Sequence, residues 1–297
     1  MTGLHPLLNG LRRLAFFFTT VIGTILMSQI AHAKDTILNH HSFGSGPENV
    51  LVLHSWIDNA GSFDNVKPYL DPDVYTYVFA DLRGYGGSST IKGEYTSSEA
   101  ASDALNLADH LGWNRFHVIG HSQSGMIVQR MALNDWRSGS KRLKSMIAVT
   151  PVAADGYPAD DDTKGFLTAS IHNPEIAQQL AAGLTGGRLT ARFAKAVASG
   201  NIATSNPDAM LGYYHIWVDE DFSDELATAH IETPTLVIAG RQDLPGFQAD
   251  HYNDTIMKWL PNADLAVIEE AGHLPMYETP ALLAALIEGH LSANSGP

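Results

Sequence analysis

The chain has 297 residues, 44% of them hydrophobic and 17% charged, with a formal net charge of −14. That length suits one large core or two small ones, and the composition excludes wholesale disorder. The acidic balance disfavours phosphate backbones and anionic lipid, so nucleic acid is not an expected partner; the absence of cysteine excludes disulfides, thiolate metal sites and a cysteine nucleophile.

Arg12 and Arg13 precede an apolar run from Leu14 to Ile30, and Ala31-His32-Ala33 forms a small-residue cleavage site. This is the pattern of a cleaved export signal over residues 1–33, which implies a periplasmic or secreted protein with no stable membrane partner after cleavage. The alternative is an uncleaved N-terminal membrane anchor, since 17 residues lie at the lower limit for a span. Thr19, Thr20, Thr24, Ser28 and Gln29 interrupt the run, which speaks against anchoring. Arg12 and Arg13 are the only Lys, Arg, Asp or Glu before Lys34, so removal of the segment leaves a net charge of −16.

Beyond this segment, short apolar runs alternate with helical patterns. The runs are Val50–His54, Val74–Ala80, Phe116–Gly120, Ser145–Thr150, Thr235–Ala239 and Leu265–Ile268. Runs this short and this apolar read as buried strands of a mostly parallel sheet flanked by helices, an α/β fold. Thr96 and Glu99 have capping-box spacing; Leu105, Ala108 and Leu111 then fall on one helical face, and Gly112 is a stop. Met126–Trp136 is helical by periodicity, and Leu282–Leu291 is an amphipathic closing helix.

Residues 152–231 break the alternation. A Pro/Gly/Asp-rich entry from Pro151 to Asp162 leads into helical patterns, with Ile176, Leu180 and Leu184 as one apolar stripe. The strands resume after Thr233-Pro234. The expectation is a helical cap inserted at 152–231 into a core formed by 34–151 and 232–297. An ordinary run of helices in the same core is the alternative.

The sharpest motif is Gly120-His121-Ser122-Gln123-Ser124-Gly125, between a strand and an apolar helix. A serine on such a turn is held exposed, as in the nucleophile elbow G-x-S-x-G. Here Ser124 stands where the last glycine would be. A serine hydroxyl needs a base within hydrogen-bond reach. Of 14 histidines, His40, His41 and His251 read as surface or turn residues, and His290 belongs to the closing helix. His273, in Gly272-His273-Leu274-Pro275 after the last strand, sits where α/β sheets place their sites. Asp243, after Thr235–Ala239, is the candidate carboxylate that orients the imidazole; Asp155 and Asp250 compete with it. The order Ser122, Asp243, His273 is the hydrolase order. The Gln123 N–H and the Trp56 N–H are the candidate oxyanion donors. His54, Ser55, Tyr213, Tyr214 and Trp217 are candidate pocket residues, with Tyr213 and Trp217 on one helical face.

These motifs resemble the α/β-hydrolase superfamily over nearly all of the chain after residue 33. Leu51 to Trp56 looks like the family's oxyanion strand, with Ser55 for the usual glycine. Asp81-Leu82-Arg83-Gly84-Tyr85-Gly86-Gly87-Ser88 resembles the turn of haloperoxidase-like, esterase and epoxide-hydrolase members. Pro234–Asp243 resembles the acid segment, and Ala271-Gly272-His273 with Glu278 and Pro280 resembles the histidine loop. The resemblance implies an α/β-hydrolase fold and a serine triad. Epoxide hydrolases and haloalkane dehalogenases carry an aspartate where this chain has Ser122.

The expected activity is hydrolysis of a small ester, or a related acyl bond, through an acyl-serine. Alternatives on the same triad are a C–C hydrolase, a haloperoxidase-like perhydrolase or a cofactor-free dioxygenase; a receptor-like ligand-binding protein is the non-enzyme alternative. No cofactor and no metal are expected, because no phosphate-binding loop, H-E-x-x-H or metal-spaced cluster occurs. Asp160-Asp161-Asp162 reads as a solvated acidic loop. The sequence leaves the oligomeric state open.

Overall fold

Seven strands form one sheet in a computed structural model that describes residues 36–296. The expected export signal therefore lies outside the described residues. The strands are β1 (His40–Phe43), β2 (Glu48–Leu53), β3 (Tyr75–Ala80), β4 (Phe116–His121), β5 (Leu143–Val149), β6 (Thr235–Gly240) and β7 (Ala263–Ile268). Their order is β1-β3-β2-β4-β5-β6-β7, and all pairings are parallel except that of β1 with β3. The six apolar runs of the sequence all become strands, shifted by at most two residues at either end. Strand β1 has no counterpart in the expectation, because His-His-Ser-Phe offers one apolar side chain in four residues.

The central strands are buried on both faces, as parallel strands under helices must be. Val118, Ile119, Met146, Ile147 and Ala148 are at most 1% exposed. Each large side chain among them contributes about 1.5–3 kcal/mol by leaving water. Helix α1 (Ser97–His110) packs on α2 (Gln123–Ser138), α2 packs on β4 and β5, and α11 (Pro280–Asn294) packs on β5.

The Thr96 hydroxyl caps α1 by accepting the Glu99 N–H. The Glu99 carboxylate instead accepts the N–H groups of Glu94 and Tyr95. The buried face of α1 runs through Ala100, Ala104, Leu107 and Ala108, while Leu105 and Leu111 are half-buried. This corrects the expected face: small residues let α1 lie close to α2, and the leucines flank the contact.

Between β5 and β6 the chain forms five helices: α3 (Asp161–Ser170), α4 (Pro174–Gly183), α5 (Ala191–Thr204), α6 (Pro207–Asp219) and α7 (Ser223–Ala229). Asp160 is the N-cap of α3, accepting the Thr163 N–H, so the acidic run begins a helix. After β6 come the short helices α8 (Ala249–Asp254), α9 (Ile256–Trp259) and α10 (Pro275–Glu278). Among the described residues no helix is long and apolar enough to cross a membrane.

The strand order fixes where a site can form. From β2 the chain moves outward to β3, then crosses back to β4 on the other side of β2. The loops leaving β2 and β4 therefore diverge, and the carboxyl ends of those strands border a crevice. Trp56 follows β2 and Ser122 follows β4.

Candidate active site

Ser122 joins β4 to α2 with φ 56° and ψ −117°, a conformation unusual for a residue with a side chain. Main-chain bonds hold it there. Its N–H donates to the Val149 carbonyl, and its own carbonyl accepts from Gly125 and Val152. A Cβ on Gly120 would lie 2.2 Å from the Ser124 carbonyl oxygen, and one on Gly125 would lie 2.2 Å from Pro151 Cβ. Those two positions need glycine. Position 124 does not: the Ser124 hydroxyl donates to the His54 carbonyl at 2.5 Å, tying the elbow to the loop after β2.

The structure brings Ser122, His273 and Asp243 together. Ser122 Oγ lies 2.8 Å from His273 Nε2, and His273 Nδ1 lies 2.8 Å from Asp243 Oδ2. With a carboxylate accepting at Nδ1, the ring proton sits there, and Nε2 is free to accept the Ser122 proton. Asp243 Oδ1 accepts the Leu244 N–H at 2.7 Å. Burial pushes the Asp243 carboxyl up, against the opposing pull of His273 and Arg188 and the Leu244 bond. Asp155 and Asp250 are exposed, and neither bonds to His273.

Behind the ring, the His273 carbonyl accepts from His121 Nε2 (2.8 Å) and Thr150 Oγ (3.0 Å). Burial lowers His121 to about 3, so it stays neutral and donates from Nε2. Phe247 packs its ring 4.3 Å from that of His273.

Gln123 is the first residue of α2, so its N–H is one that a helix leaves without an intrahelical partner. The Trp56 side chain is fixed by its indole N–H donating to the Met210 carbonyl (2.7 Å), and its carbonyl accepts the Tyr85 hydroxyl (2.9 Å). Neither the Gln123 nor the Trp56 N–H is taken by a backbone acceptor among the described residues.

A cavity of about 110 Å³ opens beside Ser122 and His273. Ser55, Trp56 and Trp217 line it. His54, Tyr213 and Tyr214 do not. The His54 ring turns inward: Nδ1–H donates to the Ser55 carbonyl (2.7 Å), and Nε2 accepts the Leu82 N–H (3.0 Å). Burial lowers it to about 4, so it remains neutral. Tyr213 packs on Tyr85 and Tyr95, at 5.7 and 5.5 Å between ring centroids. Tyr214 lies behind Trp56 and Trp217, at 6.4 and 5.7 Å.

The remaining wall is mostly apolar and includes Tyr157, Phe166, Leu167, Leu180, Leu184 and Phe247. The sequence carried a signal for two of these, since Leu180 and Leu184 belong to the apolar stripe of α4 and its exit. Ser55 Oγ and Trp217 Nε1 are buried without a hydrogen-bond partner. Among the described residues no group of three His, Asp or Glu could hold a metal ion.

A family model described as the alpha/beta hydrolase fold matches residues 48–280, more than three quarters of the chain. A fluoroacetate dehalogenase from Burkholderia sp. is 42% identical over 111 residues, which cover 36% of this chain and 36% of that protein. The chain thus spans about a third of the length of that relative. A poly(3-hydroxyalkanoate) depolymerase from Ectopseudomonas oleovorans is 27% identical over 230 residues, 73% of this chain and 75% of that one. Among solved structures, the esterase EaEST from Exiguobacterium antarcticum superposes with a TM-score of 0.74 at 21% identity, covering 86% of this chain and 95% of the other. At that identity the likeness is one of fold.

Proposed function

The chain belongs to the α/β-hydrolase fold family, and from that premise we propose that it is a serine hydrolase cleaving carboxylic esters, or related acyl bonds, through an acyl-serine intermediate. The observation that carries this reading is the unbroken line of hydrogen bonds from the Ser122 hydroxyl through His273 to the Asp243 carboxylate.

The chemistry follows from the line. Ser122 Oγ attacks the carbonyl carbon as its proton passes to His273 Nε2. The imidazolium that forms is stabilised by Asp243, which stays ionised. The carbonyl oxygen becomes an oxyanion, for which the Gln123 and Trp56 N–H groups are the candidate donors; one such donor is worth about 10²–10³ in kcat. His273 then returns the proton to the leaving alcohol. Water enters, gives a proton to His273 and releases the acid.

The choice of serine limits the reaction. Displacement of a halide by a serine oxygen would leave an ether, and a carbonyl-free ether has no route to hydrolytic release. A carboxylate nucleophile leaves an ester, which water can open. Ser122 therefore favours acyl transfer over carbon–halogen cleavage, whatever the dehalogenase relative does. We read 152–231 as a cap whose Leu180, Leu184 and Trp217 wall an acyl site, and the small cavity favours short acyl groups. Residues 1–33 we read as an export signal.

The test is Ser122→Ala assayed on p-nitrophenyl acetate, butyrate and hexanoate, together with fluorophosphonate labelling mapped by mass spectrometry. The expected result is loss of turnover and loss of the label at residue 122. Undiminished turnover in the variant would overturn the acyl-serine route.

A further inference from the structure

The main chain at His273 is held from several sides. Its N–H donates to the Leu184 carbonyl at 2.9 Å, and its carbonyl accepts from His121 and Thr150. The N–H groups on either side, Gly272 and Leu274, both donate to the Glu278 carboxylate at 3.1 Å. The Glu278 side chain is only 2% exposed and is paired with the Arg188 guanidinium. Arg188 also donates to the Glu270 carbonyl at 2.7 Å.

Leu184 and Arg188 come from the helical segment between β5 and β6, not from the sheet. A turn joins them in which Gly186 and Gly187 have φ of +59° and +68°. That conformation is open to glycine at little steric cost. It turns the chain so that Arg188 faces the histidine loop. The two segments touch without room for a side chain: a Cβ on Gly272 would lie 2.8 Å from the Leu184 carbonyl oxygen and 3.0 Å from Arg188 Nη2. Leu184 also lines the cavity. One residue thus borders the substrate space with its side chain and holds the base with its carbonyl.

A buried carboxylate needs a counter-charge as well as donors. Arg188 supplies it from across the segment boundary. Without Arg188, Glu278 gains by moving toward water, and the Gly272 and Leu274 N–H groups lose their acceptor. His273 would then be free to drift between them.

We propose that Arg188 and Glu278 are positioning residues for the base, an ion pair through which the helical segment clamps the His273 loop and keeps Nε2 within reach of Ser122. This rests on the assignment of Ser122 and His273 as nucleophile and base. Neither Arg188 nor Glu278 touches a reacting atom. Beyond the charge that Arg188 sets against Asp243, their effect runs through geometry, where a misplacement of about 1 Å costs about 100-fold in rate.

The experiment compares Arg188→Met, Arg188→Lys and Glu278→Gln in the full chain. The amide of the Glu278→Gln variant would still offer an oxygen to the two N–H groups but would set its own donor against Arg188, so it separates charge from hydrogen bonding. Two readouts are taken: kcat and KM on p-nitrophenyl acetate, and the low-field proton resonance of His273 Nδ1–H, assigned by its loss in His273→Ala. Arg188→Met and Glu278→Gln should lower kcat by about 10- to 100-fold with KM within about twofold, and should broaden or abolish the resonance. Arg188→Lys should recover part of both, since a point charge still neutralises Glu278. Arg188→Met with unchanged kcat and a sharp resonance would overturn the proposal, even if its melting temperature fell. The resonance needs no turnover, so it judges the clamp even if Ser122→Ala leaves ester hydrolysis intact, a result that would instead defeat the acyl-serine route.

Discussion

Replacing Asp243 by asparagine tests the hydrogen-bond line at its carboxylate end. Asp243 is 5% exposed, with Oδ2 facing His273 Nδ1 at 2.8 Å and Oδ1 facing the Leu244 N–H at 2.7 Å. Asparagine has the same shape, so the fold should survive. Its two ends are no longer equivalent, however. The Leu244 N–H requires an acceptor, which fixes the amide oxygen on that side and turns the NH₂ toward His273. Nδ1 must then accept, so the ring proton moves to Nε2. A protonated Nε2 cannot take the proton of Ser122. In Ser-His-Asp sites this wrong tautomer costs about 10⁴-fold in kcat, or roughly 5.5 kcal/mol of barrier. The stability cost should be small, because burial already opposes the charge of Asp243. The assay is kcat on p-nitrophenyl acetate alongside the rate of fluorophosphonate labelling at Ser122. A loss of less than tenfold, or labelling as fast as in the unmodified chain, would refute the tautomer argument.

Three further outcomes are expected. Burial pushes the Asp58 carboxyl up to about 7, where it accepts the Tyr277 hydroxyl and the Asn59 N–H. The folded chain thus keeps a proton there that the unfolded chain releases near its ordinary value of 3.8. That stabilisation is complete below the unfolded value and is lost as pH rises through the folded one. Asp58→Asn should remove this part of the pH dependence, so that its unfolding free energy falls less than that of the unmodified chain between pH 4 and pH 8; an equal fall in both chains, measured by urea titration at each pH, would contradict it. Ser124→Ala takes the hydroxyl from the buried His54 carbonyl and should cost about 1–3 kcal/mol, read as a lower urea midpoint; an unchanged midpoint would show that the bond contributes nothing. Leu180→Ala enlarges the cavity and should cost about 2–5 kcal/mol while moving the preferred acyl group to longer chains, and an ester panel with no such move would remove Leu180 from the acyl wall.

The sheet was legible because its strands are short, apolar and β-branched, and burial on both faces demands that pattern. Strand β1 was not, because an edge strand with two histidines makes no such demand. The three residues that meet at the site were legible for a related reason: each follows a strand at its carboxyl end and lies within three residues of a glycine that marks the turn, Gly120 and Gly125 for Ser122, Gly240 for Asp243 and Gly272 for His273. The pocket was less so. Leu180 and Leu184 carry an apolar stripe, but periodicity tells only that a face is covered, not whether helix or cavity covers it. Tyr213 shares a helix face with Trp217, yet it meets Tyr85 and Tyr95 while Trp217 meets the cavity. The direction of His54 depends on the Leu82 N–H, 28 residues away. The pairing of Arg188 with Glu278 spans 90 residues and leaves no local mark.

The departures from the family motif follow the same logic. A motif glycine records a distance, and the distance can be met elsewhere. At Gly120 and Gly125 a Cβ would collide with main chain or with Pro151, so no side chain is admissible without a shift of the strand or helix. At position 124 the side chain points at the His54 carbonyl, so a hydroxyl is accommodated and supplies a donor to a buried acceptor. The elbow is thereby joined directly to the loop that carries Trp56. Two candidate oxyanion donors, one on each side of that bond, are thus tied by it as well as by the pairing of β2 with β4. A serine at 124 therefore adds a hydrogen bond to the close packing that aligns the elbow, and it makes the loop after β2 part of the elbow's own support.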